Sequence, residues 1–423
     1  MLDQKYIREN VEAVKRGVAN KGEEADIDAF LRWDKERRAL LAEADGLRHL
    51  RNVTSEEIGR LKSERKDASE KIQLMQQVAQ KIKDLEGEIR EIEAKIQTVL
   101  LAIPNLPHPS VPVGCGETDN VEIRKWGQKR EFEFEPLPHW EIGERLEIID
   151  FRSGSQMSGS GFVTFRGLGA RLERALINFM LGLHTERHGY TELALPFVVN
   201  RRSMTNTGQL PKLAEDMYLC ELDDLFLIPT GEVPVTNIYQ DQILREKDLP
   251  AYYVTYTPCF RREAGSYGQE TRGLIRVHQF DKVELVKFVR PETSYDELER
   301  LLRDAEEVLQ LLGLPYRVVS LCTADLSFAA AKCYDIEVWA PGVGKYLEVS
   351  SCSNFEDFQA RRAAIRFRRE QTGRVEYVHT LNGSGVALPR TVIALLENYQ
   401  TEKGTVVVPE VVRKYMGGLE LIG

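Results

Sequence analysis

The clearest hydrophobic pattern in the chain lies between residues 75 and 99. Apolar residues recur there at alternating steps of three and four, at Met75, Val78, Ile82, Leu85, Ile89, Ile92, Ile96 and Val99. This spacing is typical of a heptad seam, along which one helix packs against another. A weaker seam precedes it and is interrupted by Arg37 and Arg51, with apolar positions at Trp33, Leu40, Ala44, Leu47, Ile58 and Leu61. Neither helix can bury its stripe except against the other, so the pattern predicts an antiparallel hairpin over about residues 30–100 that turns near residues 66–69.

The helical pattern stops at a proline-rich segment, AIPNLPHPSVPVG, which contains four prolines between residues 104 and 112. Proline lacks a backbone N–H and fixes φ, so a helix must end here and an extended segment must begin. We therefore expect an N-terminal domain over residues 1–103, a proline-rich linker leading into the next domain over residues 104–169, and a larger domain over residues 170–423.

Beyond residue 170 the pattern becomes mixed. Helical spacing recurs at Leu172, Ala175, Leu176, Phe179, Met180 and Leu183, and the following TELALPFVV predicts a strand that contains Pro196. Further strand-like runs cover residues 252–263, 274–287, 335–339 and 346–350. Few of them are separated by helices, which favours an α+β fold with an antiparallel sheet over repeated βαβ units. Neither GxGxxG nor GxxxxGK[ST] occurs, so the sequence indicates no Rossmann or P-loop nucleotide site.

The charge is distributed unevenly. A formal net charge of −9 argues against a protein that coats nucleic acid non-specifically, but residues 31–100 hold 15 lysines and arginines against 14 acids. An anionic partner would therefore be better received on this N-terminal segment. The basic residues near its predicted tip are Arg48, Arg51, Arg60, Lys62, Arg65, Lys66 and Lys71. A solvated coiled-coil face carries the same interleaved charges, so this segment alone does not identify a nucleic-acid surface.

The cysteines and the hydropathy indicate the compartment. The six cysteines are scattered without a CxxC pair or zinc-finger spacing, so we interpret them as reduced thiols of a cytoplasmic protein. The N-terminus is charged from the start, and no stretch approaches the ~18 apolar residues that a membrane-spanning helix needs. We expect neither export nor a membrane partner.

The segment with the most chemically capable residues is TPCFRREAGSYGQETRGLIRVHQFDKVELVK, residues 257–287. It is predicted as two strands around a polar loop, residues 264–273. Residues two apart on a strand share a face, which groups Arg261 with Glu263 and, on the return strand, Arg276, His278, Phe280 and Glu284. An aromatic ring among these charges favours a base-stacking platform, beside which arginine can bind phosphate. A solvent-facing ladder of ion pairs would use the same residue types, so both interpretations stay open.

Several segments together resemble the class II aminoacyl-tRNA synthetases, whose three motifs are matched by PFVV with Pro196, by FRRE and by a glycine-rich turn with Arg390. More narrowly, TGQLPK, FRREAGSYGQETRGLIRVHQFDKVEL, SSCSN, DFQARR and HTLNGSG are similar to bacterial-type seryl-tRNA synthetases, and the similarity extends over essentially the whole chain. The resemblance implies an antiparallel-sheet catalytic domain with an N-terminal coiled-coil arm. It also implies activation of L-serine by ATP to seryl-adenylate and transfer to the 3′ end of tRNA(Ser), and of tRNA(Sec) where that exists.

The resemblance assigns ATP and magnesium to particular residues. Arg261 and Arg390 would be catalytic, with Arg261 on the α-phosphate and the serine carboxylate and Arg390 on the γ-phosphate. Phe280 would stack on adenine, and Glu348 and Ser351 would share a Mg²⁺ ion with the phosphates. The full set implied for ATP is Arg261, Arg262, Glu263, Val277, Phe280, Glu348, Val349, Ser350, Ser351 and Arg390.

The resemblance also assigns serine to a set of polar residues. One carboxylate suits the ammonium group of serine and a second can accept a hydrogen bond from its hydroxyl. The implied set is Thr230, Gly231, Glu232, Arg261, Glu284, Thr380, Asn382 and Ser384. Outside the family context, PTGEVP would be interpreted as a turn, NGSG as a hairpin loop and Arg390 as a helix-start residue after Pro389.

Three residues depart from the family's pattern, namely Gly231 where alanine is usual, Leu347 where arginine is usual, and Pro389 where glycine is usual. None of the three removes a group that the resemblance assigns to chemistry. They bear instead on the local backbone geometry around the assigned residues.

The resemblance further implies a homodimer, formed through the helix at residues 172–183 and the strand around Pro196, and selection of tRNA by the arm. Two other functions stay open. The first is a synthetase-like paralogue that passes an activated amino acid to a carrier protein, which the long arm disfavours. The second is a catalytically silent RNA-binding or scaffold protein, which the joint presence of five candidate site residues disfavours: Arg261, Glu263, Glu284, Glu348 and Arg390.

Overall fold

The computed structural model describes residues 1–264 and 272–423. The helices are α1 Gln4–Glu9, α2 Val11–Asn20, α3 Ile27–Ser63, α4 Ser69–Ala102, α5 His139–Arg145, α6 Phe151–Ser158, α7 Leu168–Glu186, α8 Arg201–Thr207, α9 Glu232–Asn237, α10 Ser294–Leu311, α11 Phe358–Ala363, α12 Leu388–Tyr399 and α13 Glu410–Arg413. The strands are β1 Val121–Trp126, β2 Ile149–Asp150, β3 Thr164–Phe165, β4 Thr191–Glu192, β5 Val198–Asn200, β6 Leu219–Cys220, β7 Leu225–Leu227, β8 Ile243–Arg245, β9 Ala251–Phe260, β10 Gln279–Val289, β11 Tyr316–Ser320, β12 Lys332–Ala340, β13 Lys345–Asn354, β14 Arg366–Arg368, β15 Val375–Tyr377, β16 His379–Ala387, β17 Val406–Val407 and β18 Leu421–Ile422.

The described residues form two compact units, which are considered separately below. One comprises Leu2–Ala19 and Glu23–Pro104, and the other comprises Met1, Asn20–Gly22 and Asn105–Gly423. None of the helices in the described ranges combines the length and the apolar content that crossing a membrane requires. The six cysteines all carry free thiols.

The first unit contains the predicted helical hairpin, made of α3 and α4. The side chain of Asp26 caps α3 by accepting a hydrogen bond from the backbone of Ala29, so the helix starts slightly earlier than the heptad pattern suggested. On α4 the predicted seam is buried at Val78, Ile82, Leu85, Ile89, Ile92 and Ile96. Ion pairs cross the hairpin between Glu57 and Lys71 near the turn and between Arg48 and Glu86 farther away. The coiled-coil prediction is therefore confirmed.

The interruption of the first seam at Arg37 has a structural explanation in Asp34. The Asp34 side chain, next to the seam residue Trp33, is fully buried. Its oxygens accept hydrogen bonds from Arg8 at 3.2 Å, from Arg37 at 2.9 Å and from Arg38 at 3.0 Å. A buried carboxylate is tolerated only when its charge is neutralised and hydrogen-bonded. Asp34 thus ties α1 to the base of α3 by charge rather than by apolar packing.

The second unit is built on an eight-stranded sheet with the order β1-β11-β12-β13-β16-β10-β9-β4. Its neighbours pair antiparallel except at one edge, where β4 runs parallel to β9. The predicted antiparallel α+β fold is thus confirmed. Residues of α7, α10 and α12 pack with alternate strand residues into one apolar core, represented by Leu176, Leu301, Leu395, Val283 and Leu285.

Several strand predictions need correction. The run at residues 274–287 becomes a strand only from Gln279, and the run at 252–263 ends as a strand at Phe260. The segment TELALPFVV forms β4 and β5 on either side of Pro196, because proline offers no N–H to a ladder. The linker segment 104–169 supplies β1, an edge strand whose residues are all exposed and which the sequence analysis did not predict.

Replacing Asp34 should destabilise the helical unit. In Asp34→Ala, the arginines gathered around the carboxylate lose their buried counter-charge, and we expect a loss of about 3 kcal/mol in the free energy of unfolding of this unit. The measurement is chemical denaturation followed by circular dichroism. Asp45→Ala is the matched control, since Asp45 pairs with Arg48 at an exposed position of the same helix and should change stability little. Equal losses in the two variants would contradict this role of Asp34.

Candidate active site

A cavity of about 460 Å³ opens on the face of the large sheet opposite the α-helical core. Along β10 the side chains alternate, so that Val283 and Leu285 enter the core while Phe280, Lys282 and Glu284 line the cavity. The predicted site residues that line the cavity are Thr230, Glu232, Arg261, Glu263, Val277, Phe280, Glu284, Glu348, Val349, Ser351, Asn382, Ser384 and Arg390. The predicted residues outside this lining are Gly231, Arg262, Ser350 and Thr380.

One end of the cavity is formed by an arginine and an aromatic ring. Arg261 follows the last residue of β9, and its backbone N–H bonds the carbonyl of His278, which holds the two chain segments together. Its Nε donates to the carbonyl of Pro229 at 3.2 Å, and its guanidinium carbon lies 5.1 Å from the centre of the Phe280 ring. The Arg261 guanidinium and the Phe280 ring therefore lie next to each other. Together they suit a nucleotide, because the guanidinium can bind a phosphate and the ring can stack on the base.

The neighbours of Arg261 are arranged differently from the sequence prediction. Because β9 has ended, Glu263 does not sit two positions along a strand from Arg261; its φ is +51° and its carboxylate pairs with Arg276. Arg262 is exposed and lies outside the cavity lining, and its backbone N–H bonds the carbonyl of Asp216. Of the predicted loop at residues 264–273, residues 265–271 lie outside the described ranges.

The other end of the cavity contains a buried lysine between two acceptors. Lys282 Nζ lies 2.7 Å from Thr230 Oγ1 and 2.5 Å from Glu284 Oε2, while Asn382 Nδ2 donates to Glu284 Oε1 at 3.2 Å. Lys282 is a site residue that sequence reasoning missed. The signal was available, since Lys282 is two residues from Glu284 and therefore shares its face of the strand.

A second carboxylate lies beside the first. Glu232 Oε1 accepts a hydrogen bond from Gln359 Nε2 at 2.5 Å, and Gln359 Oε1 accepts one from Thr380 Oγ1 at 2.7 Å. Thr380 therefore acts on the cavity through Gln359, which lies in the segment DFQARR but was not assigned to the site from the sequence. Burial, together with the neighbouring charge of Glu284, raises the pKa of Glu232 to about 7.

Arg390 is a further charged group of the cavity and lies at the start of α12. Its Nε donates to the carbonyl of Ile275 at 3.2 Å, and one terminal nitrogen donates to the Glu348 carbonyl at 2.8 Å and to the Glu348 carboxylate at 3.3 Å. Two backbone carbonyls thus fix the direction of the guanidinium. The remaining donors of this fork are the groups available to a bound phosphate.

The chemistry near Glu348 suits a hard cation that is shared with a phosphate. Glu348 and Ser351 both line the cavity, and Ser351 Oγ lies 3.0 Å from Cys333 Sγ. Behind them, burial and the charge of Glu348 raise the pKa of Asp335 well above its ordinary value. Among the described residues no group of three or more acidic, histidine or cysteine side chains could hold a metal by itself. An ion here would take its remaining ligands from phosphate and water, as Mg²⁺ commonly does.

The three departures from the family pattern also have structural settings. A Cβ added at Gly231 would lie 2.9 Å from Thr255 Cγ2 and 3.0 Å from Glu284 Cβ, so glycine lets this turn lie against the strands. Leu347 is buried in the apolar core, away from the cavity. Pro389 lies within the first two positions of α12, where its missing N–H has no cost.

Ser350, predicted to bind ATP, is buried and donates to the carbonyl of Ser384 at 2.6 Å.

The sequence matches two family models. One describes the seryl-tRNA synthetase N-terminal domain and matches residues 1–107. The other describes the class II tRNA synthetase core domain of the G, H, P, S and T types and matches residues 218–399.

Full-length relatives and a solved structure agree with these matches. A serine--tRNA ligase of Geobacter sulfurreducens is 59% identical over 423 residues, which is 100% of both chains. A serine--tRNA ligase of Geobacillus sp. is 61% identical, again over 100% of both chains. The crystal structure of seryl-tRNA synthetase from Pyrococcus horikoshii complexed with ATP superposes with a TM-score of 0.93 at 40% identity and covers 100% of this chain and 99% of that one.

The pKa of Glu232 predicts a pH-dependent effect on stability. In the unfolded chain this carboxyl ionises near pH 4.5, whereas in the folded protein it keeps its proton until about pH 7. Stability is therefore lost as the pH rises through this window. Glu232→Gln removes the loss, so its free energy of unfolding relative to wild type should rise by about 2 kcal/mol between about pH 5 and pH 8.

Thermal denaturation across this pH range measures the effect. Glu221→Gln, which alters an exposed carboxylate outside the cavity, is the control. A stability difference between Glu232→Gln and wild type that stays constant with pH would show that Glu232 ionises in the folded protein as it does in the unfolded chain.

Proposed function

Since the chain belongs to the seryl-tRNA synthetase family of class II aminoacyl-tRNA synthetases, whose reaction is the ATP-dependent ligation of serine to tRNA, we propose that serine and ATP react in the cavity on β10. The observation that carries this proposal is that carboxylates and guanidinium groups line one cavity. Glu232 and Glu284 lie there beside Lys282, and the guanidinium groups of Arg261 and Arg390 line the same cavity, with Arg390 paired to Glu348. Serine carries both an ammonium group and a carboxylate, and ATP carries phosphates, so this arrangement matches both reactants.

Serine occupies the carboxylate end in this proposal. Glu232 faces the ammonium group, and Glu284, held by Lys282 and Asn382, accepts the hydrogen bond of the serine hydroxyl. Lys282 neutralises one of the two carboxylates, so the pair does not expose two uncompensated charges to a single ammonium group. Thr380 fixes Glu232 through Gln359 rather than by touching the substrate.

ATP occupies the arginine end. Phe280 stacks on the adenine, Arg261 bridges the α-phosphate and the serine carboxylate, and Arg390 binds the γ-phosphate, in the positions from which these side chains line the cavity. Glu263 orients Arg276 at the same wall. Arg262 and Ser350 support the site from outside its lining, as their backbone and hydroxyl contacts indicate.

Glu348 and Ser351 hold Mg²⁺ against the phosphates in this proposal, and the ion supplies charge neutralisation when it is bound. The serine carboxylate attacks the α-phosphorus, the bond to the β-phosphate oxygen breaks, and pyrophosphate leaves. The 3′-terminal ribose hydroxyl of tRNA then attacks the seryl carbonyl and releases AMP. The first nucleophile is already an anion, so Arg261 and Arg390 contribute orientation and charge stabilisation rather than proton transfer.

The arm formed by α3 and α4 binds tRNA, and its contacts are mainly to backbone and shape. Arg51, Lys62 and Arg65 are exposed along its outer part and support this role. Arg48 and Lys71 instead pair with Glu86 and Glu57 across the hairpin, so they serve the coiled coil itself.

We further propose a homodimer and a cytoplasmic location. Phe197 is 42% exposed and Val198 39% exposed on the segment assigned to the interface, which is apolar surface that a second copy would cover. A cytoplasmic location follows from the tRNA substrate.

The carrier-protein and silent-scaffold alternatives are both disfavoured by relatives that match the entire chain, arm included.

The serine site is tested by changing Glu284. The wild-type protein should catalyse serine-dependent pyrophosphate exchange and reject alanine by ~10⁴-fold in kcat/KM, because a site built around a hydroxyl leaves a buried polar group unpaired without it. Glu284→Ala should lose most of this preference. The double variant Lys282→Met/Glu284→Ala, which leaves no unpaired ammonium group, separates a folding defect from lost recognition. Retention of normal serine activation by Glu284→Ala would refute the assignment.

The arm is tested by shortening it. Deleting residues 45–88 and joining the ends with a short glycine linker keeps the Asp34 cluster at the base. Serine-dependent pyrophosphate exchange should persist while tRNA charging is abolished, since the described residues that line the cavity begin at Thr207. Arg51→Ala/Lys62→Ala/Arg65→Ala on the full-length arm should weaken tRNA binding and reduce its dependence on salt. A shortened protein that charges tRNA at the full-length rate would identify the arm as a spacer.

A further inference from the structure

Helix α12 carries two charged residues that are linked to one short segment of backbone, Arg390 directly and Glu397 through His139. Arg390 and Glu397 are seven residues apart, close to two helical turns, so they lie on the same side of the helix. Arg390 lines the cavity, whereas Glu397 is fully buried outside it. The backbone segment is Gly273–Arg276, which leads into β10.

Glu397 is bound entirely by N–H groups. Its Oε1 accepts from the backbone N–H of His139 and from His139 Nδ1, both at 2.9 Å. Its Oε2 accepts from the backbone N–H groups of Gly342 at 2.8 Å and Val343 at 3.1 Å. Four donors on two separate chain segments therefore fix the position of this carboxylate and, through it, the ring of His139.

The other ring nitrogen of His139 is the acceptor of a backbone hydrogen bond. The N–H of Leu274 lies 2.9 Å from His139 Nε2 and can only donate, so Nε2 carries no proton and the ring proton is on Nδ1, facing Glu397. Gly273 lies directly on the imidazole, with a φ of +70°, and a Cβ there would lie 2.2 Å from Nε2. The hydrogen bond to Leu274 and the close approach of Gly273 therefore fix this backbone in contact with the His139 ring.

The next backbone acceptor along this segment holds Arg390. The carbonyl of Ile275, one residue beyond the N–H bound by His139, accepts from Arg390 Nε at 3.2 Å. The connection therefore runs from Glu397 through His139 and the Leu274–Ile275 backbone to the guanidinium of Arg390. It starts and ends on the same helix, which closes it into a rigid loop of contacts.

We infer that the Glu397–His139 pair is a positioning device for Arg390, fixing the guanidinium in the direction from which it binds the terminal phosphates of ATP. The inference rests on the proposed function, in which Arg390 binds the γ-phosphate. Neither His139 nor Glu397 lines the cavity, so both act through backbone and not on the substrate. A buried pair that served stability alone would affect all substrates equally, whereas a positioning pair affects ATP and leaves serine binding at the far end unchanged.

The test compares matched substitutions at two buried histidines, each of which is paired with a glutamate. His139→Leu removes donor and acceptor, and His139→Gln retains one of each. The control pair is His188 with Glu307, joined at 2.8 Å outside the cavity lining; His188 is buried and Glu307 is partly exposed, and the variants are His188→Leu and His188→Gln. KM and kcat for ATP and for serine are measured by pyrophosphate exchange on each full-length protein, together with its melting temperature.

We expect His139→Leu to lower kcat/KM for ATP by ~10- to 100-fold while the KM for serine changes by less than about twofold, since a small displacement of a catalytic group has costs of this size. His139→Gln should recover to within about fivefold of wild type. His188→Leu should lower the melting temperature without this preference for ATP. If the losses for ATP and serine are equal in His139→Leu, or if His188→Leu reproduces its pattern, the inference is wrong.

A double-mutant comparison shows whether His139 acts through Arg390. The variant Arg390→Ala/His139→Leu should be no more than about twofold worse than Arg390→Ala, because a group that acts through another adds nothing once the other is gone. Independent, multiplying losses would overturn the inference. If His139→Leu does not fold, Gly273→Ala, whose Cβ would push the segment off the imidazole, replaces it in both comparisons. Absence of serine-dependent exchange in the wild-type protein would refute the proposed function itself, and not this inference.

Discussion

The two-residue alternation along β10 is the constraint on which the catalytic unit depends. Because neighbouring side chains of a strand point to opposite faces, Val283 and Leu285 can join the apolar core only if Lys282 and Glu284 face the cavity. A shift of register by one residue would bury both charges in the core and expose both apolar groups. The packing of α7, α10 and α12 beneath the sheet and the chemistry above it are therefore fixed by the same register.

The features that were predictable from the sequence are those set by a regular spacing of apolar and polar residues. The hairpin was predictable because two apolar stripes had no other partner, and the cavity face of β10 because Phe280 and Glu284 share its parity. Lys282 follows from the same rule. The buried Asp34 was not anticipated, because its three arginine partners include one on another helix.

The contacts that decide the rest of the site come from distant parts of the chain. His139 is 135 residues from Leu274, and Arg390 is 115 residues from Ile275, yet each satisfies a backbone group of the segment before β10. This is why the strand starts at Gln279 although the strand-like pattern starts earlier. The motif NGSG similarly has the composition of a turn but lies within β16, between β13 and β10, because the sheet supplies hydrogen-bond partners on both sides. Local pattern carries no information on either kind of partner.

The long hairpin of α3 and α4 constrains how the arm can change during evolution. A residue inserted into one helix advances that helix by ~1.5 Å and rotates everything beyond it by about 100°, which takes the buried seam out of alignment with its partner. An insertion can be accommodated only by a matching one in the other helix, and only steps of about seven residues return the outer basic side chains to nearly the same direction. The length of the arm should therefore vary among relatives by whole heptads, with the same number of residues gained or lost in α3 and in α4.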